Sequence, residues 1–295
     1  MKQRLCIFGE VLFDYFPDGK RVLGGAPFNV AWHLQAFGLA PYFISRIGND
    51  AEGETVRNAM RDWGMITEGL QTDKHLPTGR VGIEFVDNEP HYNIVHPCAY
   101  DTIETLSDRD SQPCDLLYHG SLALRDEISK HTVTRLISMQ STRVFVDVNL
   151  RPPWYQREQV QQMVRDANWI KLNIDEMNEL YPSNEIEAAK LTRILEENRL
   201  EGIILTRGSE GASVMTANGD HFTVSPEANI KLVDTVGAGD AFTSVMILGL
   251  TNDWPLDVTL QRAQEFASAL VGQRGATVSD PNFYHFFIQC WNKQS

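Results

Sequence analysis

Val233-Asp234-Thr235-Val236-Gly237-Ala238-Gly239-Asp240 runs directly into Ala241-Phe242-Thr243-Ser244-Val245-Met246-Ile247-Leu248-Gly249-Leu250, which reads as a strand end, a glycine turn and a buried helix. Two glycines flanking an alanine leave the backbone bare, so consecutive N–H groups can face one anion. The helix that follows adds the positive end of its dipole. The stretch is therefore a cradle for a phosphate or an oxyanion. Asp240 stands at its mouth, where a carboxylate suits orienting and deprotonating a hydroxyl that attacks phosphorus. A lone Gly-x-Gly-Asp also serves as a plain helix start with the aspartate as cap, so other stretches must agree.

Upstream, short apolar strands alternate with amphipathic helices. Leu5 to Phe8 is a first strand ending at Gly9, and residues 27–37 read as a helix with Pro27 near its start and Gly38 past its end. Tyr42 to Ser45 is a second strand, followed by a helix over 52–63 closed by Gly64. From Thr78 the apolar period becomes two. Val81, Ile83 and Phe85 alternate with small or charged residues, and Asp87-Asn88-Glu89-Pro90 turns the chain into His91 to Val95, a hairpin of a separate small sheet. Further strands at 116–118, 144–146, 169–172 and 203–205 alternate with helices near 129–139, 158–167 and 187–197. This order predicts an α/β protein with a parallel sheet covered on both sides. With no low-complexity linker, charge block or repeat, residues 1–295 read as one domain, with 11–23 and 78–96 as insertions at one edge.

The 39 acidic and 26 basic residues give a formal charge of −13, which argues against nucleic acid and anionic membrane as partners. Glu10 and Asp14 interrupt the apolar N-terminus, and no apolar run approaches a membrane span, so neither a secretory signal nor a membrane segment is expected. Cys6, Cys98, Cys114 and Cys290 form no Cys-x-x-Cys pair and read as reduced thiols of a cytoplasmic protein. The eight histidines show no metal-ligand spacing.

Ligands of open α/β sheets gather at the carboxyl ends of strands, and here those ends are rich in polar groups. Asp14 follows the first strand, and Gly24-Gly25-Ala26-Pro27 leads into Asn29. Asp14 and Asn29 are short acceptor and donor groups suited to adjacent sugar hydroxyls, with the double glycine letting backbone approach the ring. Each alone is equally a turn or helix-start residue. Gly120 and Ser121, then Asp147, Asn149 and Arg151, follow the next strands. Asn173 and Glu176, one helical turn apart, can hold water around Mg²⁺ on a nucleotide, or simply start a helix. Arg207 and Lys171 offer cations, unless paired in salt bridges, while Thr206 and Gly208 suit a nucleotide-side loop.

With these residues in place the chain resembles the PfkB/ribokinase family of carbohydrate kinases, nearest to its fructokinases, from Gly9 to about Ser279. Gly24-Gly25-Ala26-Pro27-Phe28-Asn29-Val30-Ala31 is similar to the family's N-terminal sugar motif, and Asp234 through Asp240 to its C-terminal Asp-Thr-x-Gly-Ala-Gly-Asp motif. Asp147-x-Asn149-x-Arg151, Asn173-x-x-Glu176 and Thr206-Arg207-Gly208-x-x-Gly211 fall between them in the family's order. The resemblance implies a ribokinase-like three-layer α/β/α sandwich with a mostly parallel central sheet and a small β-sheet lid. It implies Asp240 as catalytic base, with the amides of Gly237, Ala238 and Gly239 as anion hole. Asp14, Gly24, Gly25, Asn29 and Arg151 would hold the sugar. Asn173, Glu176, Thr206, Gly208 and Gly211 would serve ATP, with Mg²⁺ carried by the nucleotide and water near Glu176. Asp234, Val236, Gly275 and Ser279 are the candidates for K⁺, and a homodimer through the lid is a further expectation.

The acceptor implied first is fructose, with ribose, another ketose or a keto-deoxy sugar acid as alternatives. The segment from Tyr92 to Asp101 lacks the arginine that many fructokinases carry there. A dinucleotide-dependent dehydrogenase is disfavoured because no Gly-x-Gly-x-x-Gly follows the first strand, and a serine hydrolase because no Gly-x-Ser-x-Gly occurs. A catalytically silent sugar sensor would typically lose the base or the anion hole, and both are present.

Overall fold

Strand β1 (Leu5–Phe8) is buried at all four positions, which only a central strand covered on both faces can be. The computed structural model describes residues 3–86, 89–105, 113–139, 142–226 and 232–293. Around β1 lies a nine-stranded sheet of β4 (Tyr42–Gly48), β5 (Leu70–Asp73), β8 (Leu116–His119), β9 (Arg143–Asp147), β10 (Trp169–Asn173), β11 (Gly202–Thr206), β12 (Ala212–Thr216) and β13 (His221–Val224). Their order is β13-β12-β11-β10-β9-β8-β1-β4-β5. All neighbours are parallel except β11–β12 and β12–β13, which are antiparallel.

Side chains alternate across this sheet and build two cores. Leu5, Ile7, Phe43, Tyr118 and Phe145 pack toward α1 (Ala26–Ala36), α2 (Ala51–Asp62), α7 (Ala238–Thr251), α8 (Leu256–Leu270) and α9 (Pro281–Lys293). Cys6, Phe8, Leu117, Val146 and Leu172 pack toward α3 (Glu127–Ile137), α4 (Arg157–Arg165), α5 (Ile174–Leu180) and α6 (Glu187–Glu197). The period of two thus sorts each strand's residues to two helix layers, giving the three-layer sandwich.

A second sheet joins two segments far apart in sequence. β2 (Leu12–Tyr15), β3 (Arg21–Gly24), β6 (Gly79–Val86) and β7 (Glu89–Ile94) stand in the order β3-β2-β6-β7, with β2 and β6 parallel and both outer pairs antiparallel. The expected hairpin is therefore β6–β7, and residues 87 and 88 of its turn lie outside the described residues.

The cysteine expectation is corrected. Cys6 on β1 and Cys114 just before β8 form a disulfide with Cα atoms 5.9 Å apart, leaving Cys98 and Cys290 free. The two lie 108 residues apart, so only the parallel pairing of β1 with β8 brings them together. Among the described residues no helix is long and apolar enough to cross a membrane.

Candidate active site

The carboxyl edge of the central sheet, where β1 passes into the second sheet, gathers the residues expected on the sugar side. Gly25, at φ 110° before α1, lies so close to the chain leaving β1 that a Cβ there would sit 2.6 Å from the Glu10 carbonyl oxygen. That close approach turns α1 so that buried Asn29, in its first turn, faces α7. Asn29 Nδ2 donates to Asp240 Oδ2 at 2.8 Å across 211 residues of sequence. Asp14 on β2 completes the group: a Cβ on Gly24 would lie 3.6 Å from Asp14 Oδ2 and 4.0 Å from Asn29 Oδ1. Residues 14, 24, 29 and 240 therefore form one cluster. Asn29 Oδ1 has no hydrogen-bond partner among the described residues.

Three carboxyls here are raised by burial. Asp240 is pushed up to about 6, with the Asn29 hydrogen bond opposing the shift and the Asp147 charge adding to it. Asp14 is raised to about 6, and the charge of Arg151 pulls against it. Exposed Arg151 also draws on Asp240 and Glu10, so its charge reaches all three. Glu10 is the residue that sequence reasoning missed. It is 3 % exposed, burial pushes its carboxyl up to about 7, and its Oε2 has no hydrogen-bond partner among the described residues. The available signal was a glutamate placed directly after an all-apolar strand.

At the start of α7, Gly237 is left-handed at φ 80°, and a Cβ there would press to 2.5 Å of Ala276 Cα. The Ala238 amide donates to Thr235 O at 3.3 Å, whereas the amides of Gly239 and Asp240 carry no backbone hydrogen bond among the described residues. The Gly237 amide carries none either, so the open donors are those of residues 237, 239 and 240, and of the expected anion-hole trio only Ala238 is engaged. Beneath them, Lys171 Nζ donates to both Asp147 oxygens at 2.9 and 2.7 Å, and Thr243 Oγ1 donates to Asp147 Oδ2 at 3.0 Å. A Cβ on Gly239 would lie 3.7 Å from Lys171 Nζ, so this buried cation stands under the turn. Burial pulls the Lys171 ammonium down, but its pairing with Asp147 leaves it above its ordinary value.

Asn173 and Glu176 form a capping box at the start of α5: Glu176 N donates to Asn173 Oδ1 and Asn173 N to Glu176 Oε2, each at 2.9 Å. Glu176 Oε1 also accepts from Leu150 N at 2.8 Å, which ties α5 to the loop carrying Arg151. The helix-start and site readings of this pair are therefore compatible. Thr206 ends β11 beside Asn173, its partner in the strand register, with Gly208 two residues on at φ 56°. Gly211 serves packing, since a Cβ would fall 2.0 Å from Val224 O. Arg207 is paired with Glu187 and donates to Ser213 Oγ at 3.0 Å, so it is a salt-bridged arginine.

The loop before α7 is knitted to the one after α8. Asp234 Oδ1 accepts from Val236 N and Oδ2 from Gly275 N, both at 3.0 Å. Asp234, Val236 and Gly275 are together, while Ser279 is exposed and tied to them by no bond among the described residues. His96, Asp101 and Asp126 also converge, with ligand atoms within 4.8 Å of one another. The Arg125 guanidinium holds both Asp101 oxygens at 2.6 and 2.8 Å, which leaves a histidine–carboxylate pair rather than a metal cage.

A doubly covered parallel sheet with a half-buried carboxylate beside open helix-start amides, bonded to Asn29 with Asp14 close by, is an arrangement suited to phosphate transfer to an alcohol group. The profile described as pfkB family carbohydrate kinase matches residues 5–282, and the chain belongs to that family of ATP-dependent sugar kinases. It is 27% identical to a fructokinase of Salmonella typhimurium over 95% of this chain and 97% of that protein. It is 26% identical to an aminoimidazole riboside kinase of the same organism, over 94% and 92%. Its fold superposes on a fructokinase from Xylella fastidiosa with bound ATP at a TM-score of 0.86 and 19% identity, covering 99% of this chain and all of that one. A fructokinase from Vibrio cholerae O395, solved with fructose, ADP and calcium, superposes at 0.80 with 25% identity, covering 97% and 99%. The fold is ribokinase-like.

Proposed function

We propose that this sugar kinase transfers the γ-phosphate of ATP to a primary hydroxyl of fructose, with Asp240 as general base. The observation that carries the reading is the convergence of Asp14, Asn29 and Asp240 in one cluster beside the open amides of Gly237, Gly239 and Asp240. A carboxyl near 6 is ionised at neutral pH yet basic enough to take a hydroxyl proton. Asp14, Asn29, the Gly24-Gly25 backbone and Arg151 would bind the sugar, and the second sheet would act as a lid that excludes water, itself a competing nucleophile. The open amides of Gly237, Gly239 and Asp240, with Lys171, would face the transferring phosphate. Asn173, Glu176, Thr206 and Gly208 would lie on the nucleotide side.

The residues present fit the expected ions. Both Glu176 oxygens accept amide hydrogen bonds and keep lone pairs for water around Mg²⁺, which would shield charge on the phosphates. Both Asp234 oxygens are engaged by amides, so K⁺ would take neutral carbonyls of that loop. The cations of the second sheet argue for a neutral acceptor over a sugar acid, because Arg21 and Arg80 both pair with Glu52. Near-equal identity to the aminoimidazole riboside kinase keeps a riboside as the second reading.

ADP release measured over a panel of fructose, ribose, aminoimidazole riboside and a keto-deoxy sugar acid, with and without K⁺, tests the assignment. The highest kcat/KM is expected for fructose. A riboside preference of tenfold or more would replace fructose as acceptor, and ADP release with none of the panel would remove the whole group.

A further inference from the structure

A hollow of about 440 Å³ lies away from the catalytic constellation, between α4, the end of α5 and α6. Its size is that of a small-molecule site. Arg157, Arg165 and Arg193 line it with Glu197 as the sole lining carboxylate, so its charge is opposite in sign to that of the chain as a whole. Arg157 donates through Nε and Nη2 to Leu180 O at 3.0 and 2.8 Å, and Arg165 Nε to Gln162 Oε1 at 2.9 Å. A guanidinium carries five N–H donors, so most of those on Arg157 and Arg165 stay open. Arg193 is held by Glu185 at 2.8 Å and by Glu197 at 3.1 Å.

Tyr181 lines the same hollow, but its hydroxyl oxygen is shielded from solvent and has no hydrogen-bond partner among the described residues, so the residue is a wall of the hollow and not a donor into it. Burial pushes the hydroxyl up to about 12, which keeps this wall neutral.

We propose that this hollow is a binding site for a small phosphate monoester, held by Arg157 and Arg165 in bidentate fashion. Guanidinium forks match the paired oxygens of a phosphate dianion, and the site lacks the apolar walls that would select an uncharged ligand. The site is independent of the assignment of the acceptor sugar, because none of its residues belongs to the Asp14–Asn29–Asp240 cluster.

The test is calorimetric titration of the full chain with glycerol 3-phosphate, against glycerol and sodium chloride at matched ionic strength. Arg165→Gln should weaken binding about tenfold, the scale of a lost charge-assisted contact. Glu197→Gln, which removes the repelling charge and releases Arg193, should tighten it. Arg151→Gln, beside the Asp14–Asn29–Asp240 cluster, should leave it unchanged. Matching thermal midpoints would show that the variants fold. No saturable binding overturns the proposal, as does binding that is lost in Arg151→Gln and indifferent to Arg165→Gln and Glu197→Gln.

Discussion

Asp240 stands where a general base is proposed, in an environment that fits that role: burial raises its carboxyl to about 6, and the Asn29 amide bonded to it restrains that rise. Asp240→Asn keeps the shape and loses the base, so kcat is expected to fall by roughly 10²-fold or more while nucleotide binding is retained. Steady-state kinetics beside a nucleotide titration decides this, and near-normal turnover would reject the assignment. The same carboxyl sets the pH dependence. A base with a raised pKa is protonated sooner on acidification, so log kcat should fall with unit slope as pH drops through about 6. The limb should vanish from the residual activity of Asp240→Asn. Its persistence would assign it to another group, such as Asp14. These residues were legible because glycine turns and short polar side chains leave a pattern in the letters. Glu10 was not, since nothing local distinguishes a buried glutamate after a strand from one at the surface, and only the approach of Gly25 to its backbone closes it in.

At the scale of elements, the site depends on how β9, β10 and α7 are locked together. Asp147 ends β9, Lys171 lies on β10 and Thr243 on α7, and the three meet in one buried network under the glycine turn that starts α7. Replacing one member of a buried ion pair leaves the other uncompensated, at a cost of about 3–5 kcal/mol. Asp147→Asn should therefore destabilise the fold by an amount of that order in urea unfolding, and Asp147→Leu combined with Lys171→Met should recover much of it. Additive losses in the double variant would show that the two charges do not support each other. Fully apolar strands and the helices α1, α2 and α4 were readable from periodicity, with ends shifted by a residue or two, whereas α8 and α9, 15 and 13 residues long, were not read. Short elements were harder. β5 has Leu70 and Asp73 buried with a polar pair between them, and α5 is seven residues long, too short for a helical period to declare itself. The second sheet was readable as a hairpin only, because β2 and β6 pair in parallel across more than 60 residues and nothing local encodes that register.

For the whole molecule, three acidic groups held above their ordinary values at one sheet edge make the site a source of instability on a surface that is already acidic. The sign follows from proton binding. Glu10 has a folded value of about 7 and an ordinary value of 4.5, so between these limits the folded chain holds more protons than the unfolded one. Stability from this group is complete below about 4.5 and is lost as pH rises through about 7. Lowered carboxyls such as Asp50, through its Thr78 and Gly53 hydrogen bonds, act oppositely and weaken the fold in stronger acid. The fold should therefore be most stable on the acid side of neutrality. Glu10→Gln removes the titration while keeping the shape, so its stability relative to the parent chain should rise from near zero at pH 4.5 toward a limit on the order of 3 kcal/mol by pH 8. Urea unfolding of both chains at pH 5 and pH 8 measures that difference. A difference that stays constant with pH would mean the Glu10 carboxyl is ionised in the folded protein throughout, and the strain at this edge would then have to be assigned to Asp14 and Asp240 alone.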